Sequence, residues 1–145
     1  MRRAAIACVG LLALVGCAGP ARTFGAYEGK AKSTADQVNS AVATVSLAVG
    51  IVERGRAFGP YTSVVVTNAE SDASAVQGAF DAIQPPGPDA DRLRDQLDGL
   101  MTSAVSAISK IRIAVRRQDF GSLPGLAVPL NSLSNRLSAF AKAHS

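Results

Sequence analysis

The stretch Asp89–Gln118, DADRLRDQLDGLMTSAVSAISKIRIAVRRQ, decides the fold of this chain. Its apolar residues recur at steps of three and four, which is the period of an amphipathic helix. Asp89 is a good N-cap residue, and Asp91 and Asp95 place negative charge near the positive end of the helix dipole. We therefore predict one long helix with a single buried face, formed by Leu93, Leu97, Leu100, Ala104, Ile108, Ile111 and Val115.

Three further segments show the same period, and breaks rich in glycine and proline separate them. We predict helices over about residues 33–57, 61–83 and 129–143, with Ser33 and Asp36 capping the first and Pro129 in the first turn of the last. The apolar stripes are Val38, Val42, Val45, Val49 and Val52 in the first, Val65, Ala69, Ala73, Val76, Phe80 and Ile83 in the second, and Leu130, Leu133, Leu137 and Phe140 in the last.

Four amphipathic helices with short connections favour an all-α fold, namely an antiparallel up-down four-helix bundle. Two alternatives remain open from the sequence alone. One is a three-helix core with the last helix lying across it. The other is an open helical hairpin that completes its core by dimerising.

The N-terminus carries a different signal. Met1-Arg2-Arg3 is followed by an uncharged apolar run from Ala4 to Val15, which has the length of a signal peptide and is shorter than the ~20 residues that cross a membrane. The run ends in Leu14-Val15-Gly16-Cys17. These four residues resemble the lipobox of bacterial lipoprotein precursors, in which a diacylglyceryl group is attached to the cysteine and the signal peptide is cut just before it.

The resemblance implies that residues 1–16 are a signal peptide, that Cys17 is the lipid attachment site, and that the protein is exported and anchored to the cell membrane or outer membrane of a bacterium. Residues 17–32, which are rich in glycine and alanine, would form a flexible lipidated tether, and residues 33–145 the bundle domain. The covalent lipid on Cys17 is the only attached group that we expect, with no cofactor or metal.

Composition limits the chemistry of the mature chain. Arg2 and Arg3 would leave with the signal peptide, so the formal net charge would fall from +4 to +2, which removes the main support for nucleic-acid binding. Cys17 would be blocked by lipid, and the only histidine, His144, lies next to the C-terminus, where we expect it to be frayed. Metal sites and Cys-His or Ser-His pairs therefore lack their usual groups, and we expect no enzymatic activity.

The topology predicts where a partner would bind. In an up-down bundle the first and third helices both end far from the tether, and carboxylates such as Asp81, Asp89 and Asp91 lie at the near end. The candidate partner-binding patch at the far end is Arg54, Arg56, Phe58, Tyr61, Arg112, Arg116, Arg117 and Phe120.

Arginine and aromatic residues are enriched at interface hot spots. We therefore expect a membrane-anchored envelope protein that acts as a non-enzymatic interaction or structural module, with an envelope protein or an anionic envelope component as partner. The alternative is a carrier or sensor that binds a small apolar ligand between its helices.

Overall fold

The computed structural model describes residues 21–56 and 59–145, which form four packed helices and no strand. The helices are α1 (Phe24–Glu53), α2 (Gly59–Asp81), α3 (Pro88–Arg116) and α4 (Leu123–Ala143), and a short 3₁₀ turn, Phe120–Ser122, precedes α4. The predicted four-helix bundle is thus confirmed.

Side-chain hydrogen bonds show that neighbouring helices run antiparallel. Between α1 and α4, Glu28 lies opposite His144, and Asn39 lies opposite Ser134 and Ser138. Between α2 and α3, the backbone oxygen of Asp81 accepts from Arg94, and Gln77 donates to Asp98. Helices α1 and α3 also pack against each other across the core.

The apolar stripes read from the sequence form the shared core. All seven residues of the α3 stripe and all four of the α4 stripe are buried. In α1 the first four valines of the stripe are buried and Val52 is half-buried. Of the α2 stripe, Ala69, Ala73 and Phe80 are buried, and Val65 and Val76 are half-buried against them. Ile83 is also half-buried but lies two residues past the end of the helix. Each buried Leu, Ile, Val or Phe side chain stabilises the fold by roughly 1.5–3 kcal/mol.

Helix α1 begins nine residues earlier than the sequence predicts. Thr23 is its N-cap, and its hydroxyl accepts a hydrogen bond from the amide of Ala26 at 3.2 Å. Tyr27 and Ala31 continue the buried face upstream. The predicted tether is therefore wrong for residues 24–32, which belong to α1. The predicted start of the bundle at residue 33 is wrong for the same reason.

The predicted cap at Ser33 is also wrong, because Ser33 lies inside α1. Its hydroxyl accepts from the Gln37 amide group at 3.2 Å, and Asp36 pairs with Lys32 at 3.0 Å. The exposed glycines Gly25 and Gly29 weaken the helical signal of this segment in the sequence.

Other boundaries differ by smaller amounts. The N-cap of α3 is Gly87, with Pro88 in the first position, so Asp89 lies in the first turn instead of capping it. Helix α4 starts six residues before the predicted Pro129, which lies inside the helix. Leu123, which is fully buried, draws this earlier turn onto the core.

Candidate functional site

The candidate site lies at the distal end of the bundle, which we define as the ends of α1 and α3 together with the starts of α2 and α4. Both outgoing helices stop there in the same way. After α1, the amides of Gly55 and Arg56 donate to the carbonyls of Val52 and Ile51. After α3, the amides of Gln118 and Asp119 donate to those of Val115 and Ala114. These are Schellman caps, and they require a left-handed residue, which is Gly55 (φ 66°) in one and Gln118 (φ 58°) in the other.

The two caps carry four of the eight residues of the predicted patch. Arg54 and Arg56 flank the first cap, and Arg116 and Arg117 precede the second. All four arginines are exposed, and none forms an ion pair within the part of the chain that the structure describes. Cations at helix C-termini interact favourably with the helix dipole, so the same side chains stabilise the helix ends and present positive charge to solvent.

Arg112 does not belong to this exposed set. Its Nε atom contacts the Oε2 atom of Glu70 on α2, and both side chains are half-buried. The pair joins α2 to α3, so the charge of Arg112 is largely neutralised. The sequence prediction missed this because Glu70 lies 42 residues away along the chain.

The aromatic residues of the patch also differ in their exposure to solvent. Tyr61 is 62% exposed at the start of α2. The ring of Phe120 packs on the core and covers Gly59, where an added Cβ atom would lie 3.2 Å from the Cζ atom of Phe120. Phe120 therefore closes the end of the core, and of the two aromatic patch residues that the structure describes, Tyr61 is the one available to a partner. Phe58 lies outside the described residues.

Exposed apolar side chains also collect in the distal half of the bundle, and of these the sequence analysis identified Tyr61 alone. Among the described residues, six large apolar side chains are exposed, and only Phe24 lies in the opposite half. The other five come from all four helices and are Leu47, Tyr61, Val64, Ile113 and Val128. Their signal in the sequence is that each lies off the apolar stripe of its helix.

At the opposite, proximal end the structure shows polar contacts between side chains. Asp89 contacts Arg92, and the Nδ1 atom of His144 lies 2.9 Å from the Oε1 atom of Glu28. The imidazole also packs on the Phe140 ring, with 4.6 Å between ring centroids. The expectation that His144 is frayed is therefore wrong, because it joins the end of α4 to the start of α1.

Three grooves run between neighbouring helices at the surface. The α1–α2 groove has a volume of about 610 Å³, the α3–α4 groove about 520 Å³ and the α1–α4 groove about 370 Å³. All three are open to solvent. Four of the five valines of the α1 stripe are buried in the core, and Val42 among them also borders the α1–α4 groove.

Tyr27 is the buried titratable group that stands out. Its side chain is fully buried beside Phe80, with 5.3 Å between ring centroids, and its hydroxyl has no hydrogen-bond partner within residues 21–56 and 59–145. Burial raises the pKa of the Tyr27 phenol, and the carboxylates of Asp91, Asp81 and Asp95 add to this effect while Arg94 opposes it. This group is enclosed and distant from the distal end. In the same described ranges, no three His, Cys, Asp or Glu side chains are grouped so that they could hold a metal ion.

One described helix, α1, is long and apolar enough to cross a membrane, and it lies near the N-terminus. By length and composition it is thus weakly compatible with a signal sequence or a membrane anchor, and hence with export. A buried core helix passes the same test, and α1 contributes ten buried residues to the bundle. The predicted lipid attachment site, Cys17, lies outside the described residues.

No protein-family model matches this chain, and neither the curated proteins nor the solved structures gave a match.

Proposed function

We propose that this protein is a membrane-anchored lipoprotein of the bacterial cell envelope that acts as a non-enzymatic interaction module. The observation that carries the proposal is the combination at the distal end, where four exposed arginines without ion pairs in the described chain lie beside exposed apolar side chains. Positive charge mixed with exposed apolar surface is typical of a surface that binds an anionic or partly apolar partner.

The anchor rests on the lipobox resemblance of Leu14-Val15-Gly16-Cys17. We expect a Cys17→Ser variant to lose membrane association, whereas a Cys8→Ser variant should keep it, because Cys8 lies within the proposed signal peptide. The measurement is the fraction of protein that pellets with washed membranes. If the Cys17→Ser protein still pellets, the lipid anchor is wrong.

The interaction surface needs its own test. We expect the double variant Arg116→Glu/Arg117→Glu to lose the partners that crosslinked purification from the native envelope recovers with the unaltered protein. The matched control is Arg22→Glu/Lys142→Glu, which makes the same change of charge with exposed side chains at the proximal end. An identical set of partners for all three proteins would overturn the distal end as the interaction surface.

The alternative of a carrier for a small apolar ligand has less support. The Val and Ala stripes that would line such a site are mostly buried against one another. The grooves that we describe are open at the surface and lie between pairs of helices.

A further inference from the structure

The α3–α4 groove runs along the side of the bundle and has a composition of its own. Its floor is apolar and consists of Ala107, Leu126 and Leu133. Three serine side chains and Gly125 line its walls, so that side chains on both helices are small. Small residues between two helices allow a third helix to approach closely. None of the lining residues is acidic.

Two cations flank this groove, Lys110 on α3 and Arg136 on α4. Both side chains are exposed, and in the described chain neither forms an ion pair. Because α3 and α4 run antiparallel, Lys110 lies toward the distal end of the groove and Arg136 toward the proximal end. Lys110 and Arg136 mark the two ends of the groove, whose lining on α3 begins at Ser103 and ends at Lys110. The two cations are therefore separated along the groove by roughly 10 Å, the helical rise over seven residues.

Pro129 adds an acceptor to the same wall. A proline inside a helix has no amide hydrogen, so it cannot donate to the carbonyl four residues earlier. That carbonyl belongs to Gly125, and both residues line the groove. The carbonyl of Gly125 therefore lacks its usual helical partner in a wall of the groove.

Two exposed apolar side chains lie close in the chain to lining residues of the groove, although neither lines it. Ile113 follows Lys110 by one helical turn and is 40% exposed. Val128 lies between the lining residues Leu126 and Pro129 on α4 and is 71% exposed. The groove thus offers an apolar track with a cation on each side, which matches the requirements of an amphipathic helix.

We propose that the α3–α4 groove binds an amphipathic helix of a partner protein, whose apolar face covers Leu126 and Leu133 and whose two carboxylates, about two helical turns apart, pair with Lys110 and Arg136. This site does not include the four distal arginines and does not depend on the lipid anchor, but Ile113 and Val128 beside it also belong to the exposed apolar set of the distal half.

Charge selects this occupant over others. The N-terminal segment of the chain itself is apolar, but residues 1–20 carry two arginines and no acidic residue, so its charge is of the wrong sign. The α1–α2 groove is larger, but Asp72 is the charged residue in its lining. An acidic helix is therefore complementary to the α3–α4 groove with its two cations, whereas Asp72 would repel it from the α1–α2 groove and the α1–α4 groove offers one cation, Arg54.

The test is a selection of displayed amphipathic-helix peptides, randomised on their polar face, for binding to the full chain. We expect the selected peptides to carry acidic residues about two helical turns apart. Their affinity for a Lys110→Glu/Arg136→Glu variant should fall about tenfold or more. The Arg22→Glu/Lys142→Glu variant should bind as the unaltered protein does. Selected peptides without such acidic pairs, or equal affinity for both variants, would overturn the proposal.

A second variant tests the groove without changing its charge. An added Cβ atom at Gly125 would meet no atom within 4 Å, so Gly125→Leu fills the groove without a clash in the bundle. We expect this variant to unfold at the same temperature or higher and to lose peptide binding. Gly78→Leu is the matched control, since Gly78 is equally open but lies on α2. If Gly125→Leu binds the selected peptides normally, they do not occupy the groove.

Discussion

Two residues at the distal end perform the same backbone task with different side chains. Gly55 and Gln118 both take the left-handed conformation that the Schellman caps of α1 and α3 require. For glycine this conformation has no steric cost, whereas for other residues it costs roughly 1–2 kcal/mol. The second cap is therefore held in place by the packing of α3 and the following turn.

This difference predicts opposite effects of substitution. Gly55→Ala should lower the free energy of unfolding by about 1 kcal/mol, because alanine is strained at this φ value. Gln118→Gly should raise it by about 0.5–1 kcal/mol, because the strain is relieved. Urea denaturation measures both. As a control, Gly29→Ala inside α1 should stabilise by about 0.5–1 kcal/mol, since its surroundings are open. Equal effects of alanine at Gly55 and Gly29 would contradict the cap.

The buried hydroxyl of Tyr27 leads to a second prediction. Removal of a buried polar group that lacks a partner is favourable, so Tyr27→Phe should raise the free energy of unfolding by about 1 kcal/mol at neutral pH. Tyr61→Phe, which removes a hydroxyl from an exposed ring, should change it by less than about 0.5 kcal/mol. A loss of stability in Tyr27→Phe would show that the hydroxyl has a partner.

The same residue predicts how stability depends on alkaline pH. The pKa of Tyr27 is raised in the folded protein, so above pH ~10 the unfolded chain loses this proton while the folded chain retains it. Stability should therefore fall as the pH rises from the unfolded toward the folded pKa, by up to about 1.4 kcal/mol per pH unit from this group. Tyr27→Phe should lose this part of the slope, measured as the difference in urea stability between the two proteins. If the stability of the two proteins changed in parallel above pH ~10, the raised pKa of Tyr27 would be contradicted.

At the scale of the helices, a polar cluster joins α1 to α4. Asn39 donates to Ser138 at 3.1 Å and accepts from Ser134 at 2.7 Å, and all three side chains are half-buried. Asn39→Ala should lower the free energy of unfolding by about 1–3 kcal/mol, because two serine hydroxyls lose their partner in a partly buried interface. Ser40→Ala is the control, since that exposed hydroxyl only bonds the carbonyl of Asp36. Chemical denaturation gives both values. Equal losses of stability in the two variants would show that the hydrogen bonds of Asn39 contribute no more than that of an exposed serine.

The helices were predictable from the sequence to the extent that one face of each is apolar. The stripe of α3 is long, rich in leucine and isoleucine and bounded by proline and arginine, and its residues are buried as predicted. The start of α1 was not predictable in this way. Gly25 and Gly29 lower helix propensity there, and tertiary contacts, above all the packing of Tyr27 against Phe80 more than fifty residues away in the sequence, stabilise these helical turns.

The candidate site, too, could be predicted from the sequence only where local signals determine it. The arginines at helix ends were predictable because the position of a helix C-terminus follows from local signals. The partner of Arg112 and the apolar side chains of the distal half depend on how the helices are rotated about their axes. That rotation is set by the complementary fit of all four stripes, which no single segment determines.

At the scale of the whole molecule, the first turns of α1 are part of the bundle. A chain that begins at Ser33 removes the buried residues Tyr27 and Ala31 and the contact of Glu28 with His144. We expect a loss of about 3 kcal/mol or more relative to a chain that begins at Ala21, mostly from the aromatic ring. Thermal unfolding of the two proteins gives the comparison, and equal melting temperatures would show that residues 21–32 act only as a linker.

On the proposed anchor, the early start of α1 limits how far the distal end can lie from the membrane. Six residues, Ala18–Thr23, separate Cys17 from the first residue of the helix, and they span at most about 20 Å. The thirty residues of α1 then rise about 45 Å. On the proposed anchor, an upright bundle carries its arginine-rich end between roughly 45 and 65 Å above the lipid. The length of the bundle would then restrict its partners to those within this distance of the membrane, in addition to the selection by charge.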